Sequence, residues 1–226
     1  MTRMRRPVRE FRTGGTPGLF EIGTAMQNTG FDLSSRHIKT TRLIHAGLAV
    51  AIVIQLTTSL VMRAPEHGRV GNGYFDIHQY GGLAAFAFVF AFWAVVAFRK
   101  RGTPVRLLFP WANADRRADL YRDVRLHASS LRALRLPVHD GPAPFSAAVH
   151  GLGLLLMTTM AVSGTIYYFI NTGDTHAGGL VGLVLLVHEA LASLVWVYLI
   201  GHAGLAVLQH FTKGLSLAEM WSFRNS

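Results

Sequence analysis

The chain has 226 residues, half of them hydrophobic, and carries 22 Lys plus Arg against 12 Asp plus Glu, a net charge of +10. Only 15% of residues are charged, against about 25% in a typical soluble protein, and the mean hydropathy is +0.31. That excludes a wholly disordered basic protein and argues against a nucleic-acid partner. The absence of cysteine excludes disulfides, cysteine-ligated iron–sulfur clusters and haem attached through C-x-x-C-H.

A helix needs about 20 apolar residues to cross a bilayer core of about 30 Å. Residues 1–37 hold no such run; they mix Arg, Gly and Thr and read as a basic N-terminal extension. The first apolar block is Leu43 to Met62, the second Ile77 to Phe98, the third Phe145 to Ile170 and the fourth Leu180 to Phe211. They are continuous rather than alternating, so they predict helices and not barrel strands. The fourth is long enough to emerge from the bilayer. The expected fold is an all-α membrane protein, a four-transmembrane-helix bundle spanning residues 38–212, followed by a tail at 213–226.

The basic residues fix an expected orientation. Residues 1–42 carry eight Lys or Arg, 63–76 two, 99–144 ten, 171–179 none and the tail two. Alternate sides thus hold 20 and 2, and the positive-inside rule places both termini and the 99–144 loop in the cytoplasm. That loop is too long for a simple connection. From Leu107 onward it predicts a short interfacial helix, with Trp111 and Tyr121 at headgroup depth and arginines facing lipid phosphate. Pro137, Gly141, Pro142 and Pro144 predict a stiff turn into the third span.

Five of the eleven histidines fall within the apolar blocks: His45, His78, His150, His188 and His202. An ionisable residue inside a span is costly and points to function. His188 and His202 are 14 residues apart. On a helix that is within about 40° of four full turns and about 21 Å along the axis, so both imidazoles share one side at two depths. His45 shares the depth of His202, and His78 lies nearer that of His188. The simplest pairing sets His45 with His202 and His78 with His188, one imidazole on each side of two haem irons. Two axial imidazoles fill the iron sphere and favour electron transfer over oxygen binding. Gly47, Gly81, Gly82, Gly151, Gly153, Gly201 and Gly204 lie near these histidines. They would admit a flat macrocycle or serve ordinary close helix packing. Arg36, Lys39 and Arg42, before the first span, are candidate partners of haem propionates, or simply follow the charge bias.

TTRLIHAGLAV at 40–50, HQYGG at 78–82, AVHGLGLLL at 148–156 and the His188/His202 pair resemble the four-helix bacterial cytochrome b561 family. That family includes the b-type cytochrome subunits of Ni–Fe hydrogenases and formate dehydrogenases. The resemblance covers most of residues 38–212. It implies two haem b groups with His45, His78, His188 and His202 as axial ligands. It also implies quinone as exchangeable substrate, a redox partner protein or catalytic subunit, and a multi-pass place in the bacterial inner membrane. His150 is then spare. It is an alternative ligand, a contact to quinone or propionate, or a structural histidine. Glu189 is the only acid well inside a span. His37, His67, His127, His139, His176 and His210 read as solvated. Two other functions are open: a superoxide:quinone oxidoreductase of the same fold, and a His-dependent metal-ion transporter, which would want acids and histidines converging at the midplane.

Overall fold

The structure is a computed structural model that describes residues 39–98, 103–133, 143–175 and 178–213. The N-terminal extension, the proline-rich approach at 134–142 and the tail from 214 lie outside the described residues. Four long helices carry the apolar blocks: α1 (Lys39–Ser59), α2 (Gly73–Phe98), α5 (Pro144–Ile170) and α6 (Gly179–Lys213). All four are long and apolar enough to cross a membrane. Between α2 and α5 come a single turn α3 (Val105–Leu108), a 3₁₀ turn (Pro110–Ala112) and α4 (Ala114–Arg132).

The observed ends differ from the apolar runs where local chemistry sets them. Helix α1 starts at Lys39, four residues before the apolar run. It ends at Ser59 rather than Met62, where Thr57, Thr58 and Ser59 turn their hydroxyls back onto the carbonyls of the last turn. Helix α2 starts at Gly73 because Asn72 caps it. The Asn72 Oδ1 accepts the Phe75 N–H at 3.2 Å and the Arg63 N–H at 3.0 Å. Between them, Glu66 and Arg69 pair across a two-residue turn, in which His67 and Gly68 both take positive φ, 47° and 80°. Pro144 begins α5 at the first helical position, where its missing N–H costs nothing. Pro110 splits the expected interfacial helix, which runs for 19 residues from Ala114. Helix α6 has 35 residues, about 52 Å at 1.5 Å per residue, and outruns an apolar core of about 30 Å.

Helix α1 packs on α2, α2 on α5 and α5 on α6, while α6 stands off from α1 and α2. Leu48, Leu56, Val89, Met157, Ala161 and Val195 form the central core. A second cluster of Phe75, Tyr167, Val181 and Val184 closes the end at which α2 begins. Over it, the Thr175 N–H and hydroxyl both bond the Pro65 carbonyl, at 3.1 and 3.2 Å, and tie the two short loops together. Large apolar side chains cover the outside, including Phe90, Phe98, Phe169, Leu186, Val197 and Phe211. Such a surface aggregates in water and is satisfied by lipid.

At the other end, α3, the 3₁₀ turn and α4 lean on the start of α5. The Asp123 Oδ2 accepts the Phe145 N–H at 2.9 Å, and its Oδ1 lies 3.1 Å from His127 Nδ1. His127 is therefore a half-buried, paired residue and not a solvated one. His67 is exposed beside Glu66 as expected, His210 is half-buried against Phe211, and His37, His139 and His176 lie outside the described residues.

Candidate functional site

The gaps left by α6 are where histidines face each other. His45 of α1 and His202 of α6 have ring centres 6.4 Å apart with planes at 52°. His78 of α2 and His188 of α6 have ring centres 6.3 Å apart with planes at 83°. A metal–imidazole bond is about 2 Å and a ring nitrogen lies about 1.2 Å from the ring centre, so two imidazoles on opposite sides of one iron would have centres about 6.4 Å apart. Both pairs meet that distance. His150 and His202 are only 5.3 Å apart with planes at 90°, too close to share one metal on opposite sides. His150 is exposed, and its Nδ1–H donates to the Ser146 carbonyl at 2.7 Å.

The His78–His188 pair has its tautomers set by hydroxyls. Thr58 Oγ1 donates to the Ile54 carbonyl at 2.7 Å, which leaves its lone pair to accept the His78 Nδ1–H at 3.0 Å. Ser163 Oγ donates to the Met160 carbonyl at 3.0 Å and accepts the His188 Nδ1–H at 2.9 Å. With Nδ1 protonated, Nε2 of each ring keeps the lone pair a metal requires. Gln55 holds the same region by donating to the His78 carbonyl at 2.9 Å. The sequence alone does not single out Thr58, Ser163 or Gln55. The signal it offers is hydroxyl and amide groups within otherwise apolar helices.

A cavity of about 470 Å³ opens around this pair between the four long helices, within the about 300–1,000 Å³ of small-molecule and cofactor sites. Leu48, Met157, Met160 and Val195 make it mostly apolar, and Gln79 and Glu189 add polar groups beside the ligand positions. Glu189 is exposed rather than buried against a neighbouring helix.

The other pair has an aromatic surround. Tyr198 stacks on His202 with ring centres 5.3 Å apart and planes within 11°, and Phe92 lies 6.3 Å from His45. Arg42, three residues before His45, is only 9% exposed. Burial of an arginine is uncommon and sets this one apart from an ordinary boundary charge.

The glycines divide differently from the cradle expectation. Side chains at Gly47, Gly81 and Gly153 would run into Phe88, Gln55 and Tyr198, and one at Gly151 into the Leu108 carbonyl. Those four serve close protein packing. A Cβ at Gly82 would make only ordinary contact with Gln55, and one at Gly201 or Gly204 would meet nothing within 4 Å. A Cβ at Gly164 would come within 3.2 Å of His188 Cε1.

Among the described residues no three His, Asp or Glu side chains converge as a metal cage. No curated protein and no solved structure matches the chain. The sequence profile of the prokaryotic cytochrome b561 family matches residues 36–223. Four membrane-spanning helices with facing histidine pairs are what a haem-binding electron-transfer protein of the membrane requires, and this chain belongs to the prokaryotic cytochrome b561 family.

Proposed function

We propose that the chain is a membrane dihaem cytochrome b that carries electrons between a redox partner protein and the quinone pool, as a subunit of a respiratory oxidoreductase. The observation that carries this reading is the spacing of the two histidine pairs, 6.4 and 6.3 Å between ring centres, at which each pair could hold one iron. His45 and His202 would hold one haem b, and His78 and His188 the other. When bound, the haems supply a one-electron iron couple at two depths. The protein's part would be to hold each haem iron through two histidines, which would favour electron transfer over oxygen binding. Thr58 and Ser163 hold the His78 and His188 rings in the metal-binding tautomer.

The lysine and arginine distribution supports a cytoplasmic place for the His45–His202 end of a bacterial inner-membrane protein. There, Arg42 is placed to pair with a haem propionate. His150 touches the same histidine pair without belonging to it, and its Nδ1 is committed to Ser146. Its Nε2 is left to contact quinone or a propionate. In this orientation electrons enter at His78/His188, cross the bundle and leave to quinone beside His45/His202. A pyridine haemochrome assay on purified protein should give about two non-covalent haem b groups per chain. One or none would sink the pairing.

A further inference from the structure

Helix α4 carries two charged strips, with Arg116 and Arg122 between them and Arg122 3.4 Å from Asp119. Asp115, Asp119 and Asp123 recur at every fourth residue, and so do Arg117, Tyr121 and Arg125, a strip continued by Ala128 and Arg132. At about 100° per residue the two strips are centred about 160° apart around the helix. Asp115 and Asp119 are exposed, whereas Asp123 is 6% exposed and bonded to the Phe145 N–H and His127, which fixes that part of the helix against the start of α5. The other strip faces outward. Arg117, Arg125 and Arg132 are exposed, and so is Tyr121, with the Arg125 guanidinium 5.3 Å from its ring centre.

The Asp123–Phe145 bond also sets depth. Phe145 is the second residue of the spanning helix α5, so α4 lies level with the end of a span, where apolar core gives way to headgroups. A tyrosine interleaved with arginines suits that layer, because the ring takes the apolar boundary and guanidiniums pair with phosphate oxygens. The N-terminal extension is a poor alternative occupant. Residues 1–38 carry six arginines and three acids, so their net charge has the same sign as the strip. We propose that the outward strip of α4, Arg117, Tyr121, Arg125 and Arg132, is a docking surface for the phosphate groups of anionic phospholipid, and lays the helix along the bilayer edge. This depends on α5 spanning the membrane and not on which histidines bind haem.

The test uses the full-length, haem-loaded protein in nanodiscs of mixed phosphatidylcholine and phosphatidylglycerol, with retained lipids counted by native mass spectrometry. Wild type should enrich phosphatidylglycerol. The Arg117→Gln/Arg125→Gln/Arg132→Gln protein should lose that enrichment by on the order of tenfold, and the corresponding triple Lys protein should keep most of it. No enrichment in wild type, or undiminished enrichment in the Gln protein, overturns the proposal. So does loss of a co-purifying protein subunit from the Gln protein with lipid selectivity intact, because the surface would then belong to that subunit. Should the Gln protein fail to load haem, a salt series on wild type decides: enrichment that survives high ionic strength contradicts docking through phosphate charge.

Discussion

Ser163 accepts the Nδ1–H of His188 at 2.9 Å while its own proton is committed to the Met160 carbonyl at 3.0 Å. The hydroxyl thus leaves His188 one choice of tautomer, with Nε2 open. Outer partners of metal-bound histidines typically contribute about 10–100-fold in affinity. Ser163→Ala should therefore weaken haem retention at His78/His188 by about 10–100-fold and leave the His45/His202 haem in place. Ser163→Thr, which keeps the hydroxyl, should retain more. Haem content after graded detergent washing reads the difference.

The two pairs differ in ring orientation, with planes at 83° for His78/His188 and 52° for His45/His202. Axial imidazoles that stand nearly perpendicular leave the iron d orbitals closer in energy than imidazoles nearer to parallel. The oxidised protein should give two low-spin electron paramagnetic resonance signals. The more anisotropic one should vanish in His188→Ala and persist in His202→Ala. The reverse assignment would contradict the orientations of the rings.

Gly164 and Gly182 offer a paired test of where space is critical. A Cβ at Gly164 falls 3.2 Å from His188 Cε1, whereas nothing lies within 4 Å of one at Gly182. Gly164→Val should displace the His188 ring and strip the haem between His78 and His188. Gly182→Ala should leave haem content and redox titration unchanged. Equal effects at the two sites would mean that close approach at Gly164 is not what seats His188.

His150 is 5.3 Å from His202 at right angles, so His150→Ala should keep both haems. If His150 contacts quinone, the substitution should raise the apparent KM for a quinone analogue without altering donor-side haem reduction. Loss of a haem instead would promote His150 to a ligand in place of His45.

Much of this is legible in the chain. Hydropathy locates the four spans to within a few residues, because lipid demands a continuous apolar run and little else does. The 14-residue spacing of His188 and His202 sets two depths, since helix rise and twist are constant. The rest depends on contacts between distant segments. Thr58 and Ser163 look like ordinary small residues until α1 is set beside α2 and α5 beside α6. His127 reads as a loop residue until Asp123 is turned inward to cap α5. The glycines stay ambiguous in the sequence because proximity to a histidine does not say what lies across the gap. Gly47 and Gly153 face aromatic side chains, and Gly164, which has no histidine near it in sequence, faces His188.

The central claim is that α6 serves two irons, one through His188 and one through His202. A redox titration followed in the haem absorption band tests it most directly in wild type, His188→Ala and His202→Ala. Wild type should titrate as two one-electron components. Each variant should lose one of them, and the two variants should lose different ones. If both variants lost the same component, or either kept both, the two histidines would not serve separate haems and the pairing across α6 would be wrong.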